Sequence, residues 1–307
     1  MHGAMSADTP LWTLDHVSLA PERLCDVSVV IPRGVTAVLG GSGAGKTSLL
    51  NLLVGFEKPE RGIFDGPRSL YWSPQNHGLW PQCTVLEHLE IVRCTRARAE
   101  ELLTAFDLAD RLGARPNELS EGERARLSIA RALGAPAEVL VMDEPLAHVD
   151  SARLSRYWAV IRQALAVGSR SLVFSTHAPE AALGEANTVI CLREGSVLHA
   201  GPVADAYANP PTRDVMDCLG PGNWLTPEEA ELWLDEEIDT ARCFRPEQLE
   251  IVPTHLSHVV VRETAFYGSH AEAELRHVNA AVVRKFLHRP SGSHLRSGEP
   301  AAIRLRE

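Results

Sequence analysis

The sequence predicts an α/β fold around a partly parallel sheet, followed by a small, mainly β C-terminal domain. Three observations carry this expectation. Short apolar runs alternate with helix-period stretches through residues 11–200. A glycine loop stands between the third of those runs and a helix pattern. Beyond a stretch broken by prolines and glycines, the pattern changes to successive strand-like runs.

Residues 11–19 and 24–31 read as two strands around a turn at Pro21 and Glu22, and residues 35–39 form a compact apolar strand that ends at Gly40. A helix pattern starts near Gly45 and Lys46 and includes Leu49, Leu50, Leu52 and Leu53. Residues 55–66, broken by Pro59, Gly62 and Gly66, read as turns, and residues 68–72 as a short strand. Residues 84–112 are mostly helical with breaks. Ser120, with Glu123 three residues on, matches a capping box and starts a helix that runs to Leu133. Residues 139–142 form an apolar strand ending in Asp143 and Glu144. A helix over 152–166, a buried strand over 171–175 and a hairpin around Glu194 and Gly195 complete the first region. Residues 200–226 read as a boundary. Seven carboxylates between Glu228 and Asp239 read as a solvated helix face. Strand-like runs over 241–244, 249–252, 258–263, 271–277 and 281–287 suggest a small β-domain of open-barrel type.

With 307 residues and 45% apolar composition, the chain has room for a large and a small domain with a sizeable core. Its net charge of -10 argues against a protein that coats nucleic acid, but leaves room for a local anion site built from backbone N–H groups. Cysteines at 25, 83, 94, 191, 218 and 243 form no Cys-x-x-Cys pair and read as packed, reduced thiols. The start of the sequence lacks the apolar run of a signal peptide. Nowhere do about 18 apolar residues run uninterrupted, so work at a membrane would need a partner chain.

The chemistry concentrates in Gly40-Gly41-Ser42-Gly43-Ala44-Gly45-Lys46-Thr47, which fits Gly-x-x-x-x-Gly-Lys-Thr between a strand and a helix. Such a loop wraps its amides around phosphate oxygens, and the helix N-terminus adds partial positive charge. Lys46 can reach terminal phosphates, and Thr47 can offer its hydroxyl to Mg²⁺. Asp143 and Glu144 leave their strand at a sheet edge, where open α/β sheets bind ligands. Asp143 is the candidate Mg²⁺ partner and Glu144 the candidate base for an attacking water. His177, after the next core strand, could bond a γ-phosphate or hold that water. Gln75, in a loop near a proline, is a candidate sensor of Mg²⁺ or water.

The order of these pieces resembles the ATP-binding subunit of the ABC transporter family. Gly40–Thr47 looks like its Walker A loop, Gln75 its glutamine, residues 119–123 its signature segment, residues 139–143 its Walker B strand, residues 146–150 its following loop and His177 its switch histidine. The resemblance covers about residues 11–200. It implies a P-loop NTPase fold of ABC ATPase type with a helical subdomain, an ATP-binding domain over 1–205, a linker and acidic helical segment over 206–240, and a small β accessory domain over 241–307. It also implies ATP and Mg²⁺ as cofactors. Gly40, Gly41, Ser42, Gly43, Ala44, Gly45, Lys46, Thr47 and Ser48 would bind nucleotide in one subunit, with Ser120 and Gly122 supplied by the other. Thr47, Gln75 and Asp143 would hold the metal, and Glu144, His177 and Gln75 would act in catalysis. The implied partners are a second ATP-binding subunit, integral membrane permease subunits and, for import, an extracytoplasmic substrate-binding protein. The implied location is cytoplasmic, on the inner face of the membrane. No nucleic-acid partner is expected.

Three features depart from the family pattern, one of them the short intervals of 29 positions from Lys46 to Gln75 and 44 from Gln75 to Leu119. Glu121 and Glu123 stand where the usual signature, Leu-Ser-Gly-Gly-Gln, has glycine and glutamine, so Glu121 must point away from phosphate. Ala20-Pro21 lies where related subunits often have an aromatic for adenine, and Trp12 comes several residues too early. Residues 75–86, with Leu79 and Trp80, form the candidate surface for the membrane partner. The tail around Cys243-Phe244-Arg245-Pro246-Glu247 resembles the oligonucleotide-barrel-like regulatory domain of some importer ATPases. Two other readings stay open: a soluble ABC-type ATPase, and a nucleotide-responsive module with weak turnover.

Overall fold

The computed structural model describes residues 9–67, 69–255, 257–290 and 295–306, so residue 68 of the strand expected over 68–72 lies outside the described residues. The chain divides into two compact units, Met1–Val203 and Ala204–Glu307. No helix among the described residues is long and apolar enough to cross a membrane.

The first unit opens with β1 (Trp12–Leu19), β2 (Leu24–Ile31), β3 (Val35–Leu39), α1 (Lys46–Leu53), β4 (Arg61–Asp65) and β5 (Leu70–Ser73). Then come α2 (Val85–Ile91), α3 (Arg96–Ala105), α4 (Glu121–Gly134), β6 (Val139–Asp143), α5 (Ser151–Gly168), β7 (Ser171–Thr176), α6 (Pro179–Glu185), β8 (Thr188–Arg193) and β9 (Ser196–Pro202). One six-stranded sheet has the order β5-β6-β7-β3-β8-β9, parallel except for the β8-β9 hairpin. Every residue of β6 and β7 is buried, which is why their apolar stretches, residues 139–142 and 172–174, are unbroken: helices cover both faces of a parallel sheet. A second, antiparallel sheet has the order β2-β1-β4. Trp12 is fully buried in the core shared by these elements and donates from Nε1 to the Leu53 carbonyl at the end of α1, 3.1 Å. It is therefore a core residue and offers no face to a base.

The stretch expected to be turns contains β4, paired antiparallel with β1. The glycine taken for a breaker marks a close backbone approach instead. Gly62 has φ +91°, and a Cβ there would lie 2.4 Å from the His16 carbonyl oxygen. His16 itself sits in a register shift of β1 between Asp15 and Ser18. A bulge and a glycine facing it allow the pairing.

In the helical segment, Thr84 caps α2 with a full capping box, Thr95 caps α3, and Ser120 caps α4 reciprocally with Glu123 as the sequence predicts. Arg131 of α4, 2% exposed, donates to the Gly78 carbonyl at 2.8 Å and to that of His77 at 2.8 Å. Its guanidinium also lies 4.7 Å from the Trp80 ring centroid. The loop after β5 is thus clamped to α4.

From the division between units onward run α7 (Val203–Ala208), α8 (Arg213–Cys218), β10 (Asn223–Leu225), α9 (Pro227–Leu234), β11 (Arg242–Phe244), β12 (Leu249–Pro253), β13 (Val259–Phe266), β14 (Ala271–His277), β15 (Val282–His288) and β16 (Ala301–Leu305). The strands make three ladders, β10-β11, β12-β16 and β13-β14-β15, where a single open barrel was expected. An isolated bridge, Val260 to Pro300, links the latter two regions. One core serves all three ladders and includes Leu225, Trp233, Phe244, Ile251, Leu275 and Phe286. Helix α9 turns Ala230, Trp233 and Leu234 inward, an i, i+3, i+4 stripe, and Glu229 pairs with Arg284 of β15. Only part of the acidic segment is therefore a solvated face.

Arg245, 1% exposed, holds irregular chain together in this unit. It donates to the carbonyls of Tyr207 (3.0 Å), Gly220 (2.9 Å) and Pro221 (3.1 Å), and its guanidinium lies 4.1 Å from the Tyr207 ring centroid. Arg245→Met keeps the apolar stem but leaves those carbonyls without a donor. We expect it to lower the stability of the second unit by about 3 kcal/mol. Urea unfolding of the full chain would show this as an earlier transition for that unit, with the transition of the first unit unmoved; a change under about 1 kcal/mol would assign the clamp little weight.

Candidate functional site

The site lies at the carboxyl edge of β3, β6 and β7. Asp143 is level with Ser175 across β6-β7, and Leu39 is level with Thr176 across β3-β7. The phosphate-type loop, the two acids and the histidine therefore leave the sheet side by side. Gly45 ends the loop at φ +101°, where a Cβ would sit 2.8 Å from the Arg23 carbonyl oxygen. As N-cap of α1 it offers no side chain, so the first-turn amides of α1 have no side-chain cap.

Thr47 Oγ1 donates to Asp143 Oδ2 at 2.8 Å, and Ser175 Oγ donates to Asp143 Oδ1. The same Ser175 oxygen accepts from the Glu144 N–H at 2.9 Å. Glu144 has φ +49°, an unusual conformation for a side chain of its size, and this bond helps hold it there. Lys46, 8% exposed, donates to the carbonyls of Gly40 (2.8 Å) and Gly41 (3.0 Å). Its Nζ lies 3.8 Å from Glu144 Oε1. His177 Nδ1 donates to Glu144 Oε1 at 3.2 Å, and Gln75 Nε2 to Glu144 Oε2 at 3.3 Å. Six residues singled out from the sequence, Lys46, Thr47, Gln75, Asp143, Glu144 and His177, thus converge, with Glu144 in contact with three of the others.

A cavity of about 490 Å³ opens beside the loop, lined by residues 43–48 together with Glu22, Arg23, Cys25, Glu194 and Gly195. None of these lining residues is aromatic. A Cβ built on Gly41 or Gly43 would meet nothing within 4 Å, so the loop backbone stands open. Uncapped helix amides, an open glycine cradle and a buried lysine satisfied by loop carbonyls fit an incoming polyphosphate. The hydroxyl of Thr47 and the carboxylate of Asp143 are hard oxygen donors of the kind Mg²⁺ takes. A smaller cavity of about 150 Å³ is lined by Glu144 and His177 together with Leu146, Trp158 and Phe174.

Ser120 and Gly122 make their contacts elsewhere. The Ser120 N–H donates to Glu123 Oε2 at 2.8 Å, and Ser120 Oγ accepts from the Glu123 N–H at 3.3 Å. The backbone bond from Ser120 holds the Glu123 carboxyl below its ordinary range. The nearest foreign atom to a Cβ on Gly122 would be the His148 carbonyl oxygen, at 3.0 Å. Glu121 is turned to Arg124 and to His77 Nε2, the latter at 2.8 Å, and these partners, Arg124 first, lower its carboxyl.

Sequence reasoning missed three supports. Ser175, fully buried, positions both acids. Ser128 Oγ donates to the His77 carbonyl at 3.0 Å and shares a 2.6 Å bond with Ser73 Oγ. Arg131 clamps the same loop, and so steadies Gln75. Each acts across 31 or more residues of chain, beyond the reach of a local motif.

Residues 24–147 match the family model described as ABC transporter. The sulfate/thiosulfate import ATP-binding protein of Synechococcus elongatus is 32% identical, over 82% of this chain and 80% of its own. The molybdenum import ATP-binding protein of Rhodospirillum rubrum is 33% identical, over 59% of this chain and 55% of its own. The Fe(3+) ions import ATP-binding protein of Yersinia pestis is 31% identical, over 64% and 62%. Among solved structures, an ATP-binding subunit of an ABC transporter superposes with TM-score 0.58 at 24% identity, covering 64% of this chain and 92% of that one, a likeness of fold.

Ser175→Ala would leave Asp143 Oδ1 and the Glu144 N–H without their shared partner. The expected cost is about 1–3 kcal/mol of stability in the first unit. Urea denaturation of the full chain checks it, and an unchanged midpoint for that unit would remove Ser175 from this role.

Proposed function

The chain belongs to the ABC transporter family as an ATP-binding and ATP-hydrolysing subunit, and from that premise we propose that it powers import of a solute through separate membrane subunits. The import direction is supported by the relatives at 31–33% identity, each of which is an import ATP-binding protein. On this reading the chain sits on the cytoplasmic face of the membrane, held by permease subunits, and works with an extracytoplasmic binding protein that selects the solute. The second unit is a regulatory extension.

The observation that carries the catalytic assignment is the convergence of Lys46, Gln75 and His177 on Glu144, next to the Thr47–Asp143 bond. Lys46 leaves the Gly40 and Gly41 carbonyls for the terminal phosphates, and the loop amides take the phosphate oxygens. Glu144, released from Lys46, accepts a proton from water, while Gln75 and His177 hold its carboxylate in place. Mg²⁺, when bound, supplies neutralisation of phosphate charge, and Thr47, Asp143 and Gln75 are the residues that would hold it. One chain has one such loop, so two-site function needs a dimer in which Ser120 and Gly122 of each subunit face the nucleotide of the other. The pairing of Glu121 with Arg124 and His77 offsets its charge at that helix start, which supports turnover over a purely regulatory module.

The loop after β5 is the proposed contact with the permease. Leu79 is half-buried, and Trp80 is 37% exposed with its ring in contact with Arg131 and stacked on His88. His88 accepts from the Trp80 N–H at 2.9 Å and donates to the Thr84 carbonyl at 2.7 Å, and burial lowers its pKa, so a neutral ring braces this surface.

Glu144→Gln should lower Mg²⁺-dependent ATP hydrolysis by at least ~100-fold, the scale of a lost general base, with ATP affinity kept within a few-fold. Steady-state phosphate release and calorimetric nucleotide binding measure the two quantities. Hydrolysis that survives the substitution would remove Glu144 from the role of base.

A further inference from the structure

We propose that His77, Glu121 and His148 form a binding site for a divalent transition-metal ion, with Zn²⁺ the best fit to the donor set. The three residues come from three segments: the loop after β5, the first turn of α4, and the loop between β6 and α5. One ligand atom from each lies within 4.8 Å of the other two. Two imidazoles and one carboxylate leave a fourth tetrahedral position for water or a further ligand. Sulfur is absent from the set, which disfavours Cu(I), and two nitrogens disfavour Mg²⁺ and Ca²⁺. The site shares no residue with the phosphate cradle, and it stands independently of the transport reading.

The local geometry suits a metal in several ways. His77 is 6% exposed and its Nε2 already faces Glu121 Oε1 at 2.8 Å. Ligands of a tetrahedral ion with bonds near 2.0–2.1 Å stand about 3.3 Å apart, so an ion can replace the shared proton with a small opening of this pair. Arg124 takes the other oxygen of Glu121, an outer partner that fixes the carboxylate. His148 is exposed, its ring at 89° to that of His77 with centroids 6.1 Å apart, so a modest swing brings its nitrogen into range.

A second observation seats the His148 loop at this spot. Its backbone carbonyl comes so close to Gly122 that a Cβ there would stand 3.0 Å away. A side chain at residue 122 would crowd this approach of the loop to the start of α4. Glu121, a departure from the family signature, thus adds a carboxylate where two histidines already meet.

An ion at this position would tie together the loop that carries Gln75, the helix start at Ser120 and the segment that follows Glu144. Metal availability would then bear on three parts of the ATP machinery at once, without contact with the nucleotide.

The test uses the full chain, stripped of metal by a chelator and free of nucleotide. Zn²⁺ is titrated against a chromophoric zinc indicator, for the wild type, His148→Ala and Glu121→Gln, with circular dichroism to confirm the fold of each. We expect the wild type to hold one equivalent of Zn²⁺ with micromolar or tighter affinity, weakened at least ~10-fold in both variants. Co²⁺ should give visible bands of tetrahedral strength in the wild type and lose them in the variants. Zn²⁺ binding that is unchanged by either substitution would place the ion on other histidines or cysteines and overturn the proposal. So would the lack of a micromolar equivalent in the wild type.

Discussion

The level ends of β3, β6 and β7 are the constraint from which the site follows. Their parallel register sets Leu39 against Thr176 and Asp143 against Ser175. Once those pairings form, the chain leaving β3 must turn beside Asp143, and Thr47 of the first helical turn reaches its carboxylate at 2.8 Å. The same register puts a serine hydroxyl between the carboxylate of Asp143 and the N–H of Glu144. The apolar side chains of β6 and β7 therefore do more than fill a core. They hold two acids and a phosphate loop within a hydrogen bond of one another, in a wall too closely packed to deform gradually.

Helix α4 applies the same logic at the far side. Its buried face carries Ser128 and Arg131, which hold the carbonyls of His77 and Gly78, and its N-terminus carries the cap Ser120 and the first residue Glu121. Gln75 reaches Glu144 because this loop is anchored two and three residues later. A movement of α4 would then be felt at Gln75, at Trp80 and at Glu121 together. Without Ser128 and Arg131 the His77 carbonyl would lose both side-chain donors that reach it, which costs a desolvation penalty as well as the hydrogen bonds.

Much of this was legible in the sequence where the signal is local. The glycine loop, the capping box of Ser120 and Glu123, and the apolar runs of β3, β6 and β7 each lie within a few residues of one another. The signals that failed were long-range. Gly62 reads as a turn residue because its partner, the His16 carbonyl, lies in another strand. Trp12 could be dismissed as a base-stacking residue on position alone, but its place against the Leu53 carbonyl required the fold. Ser175 looked like one more residue of a buried strand, and its hydroxyl has meaning only beside Asp143. In the second unit the five strand-like runs were visible, but β16 was not, since Ala301–Leu305 gains its identity from pairing with β12. Arg245 stood out beside a proline, yet its partners are carbonyls 24 to 38 residues earlier in the chain.

The Lys46 ammonium rests on the Gly40 and Gly41 carbonyls and near Glu144, and in the proposed function it leaves them for a polyphosphate. Calorimetric titration of wild-type chain and Lys46→Ala with Mg²⁺ and ATP tests this most directly. Loss of a charged hydrogen bond to phosphate is worth about 1.5–3 kcal/mol, so affinity should fall about 10- to 100-fold. Equal affinity in the two proteins would contradict the account, because the lysine would then have no part in holding the phosphates.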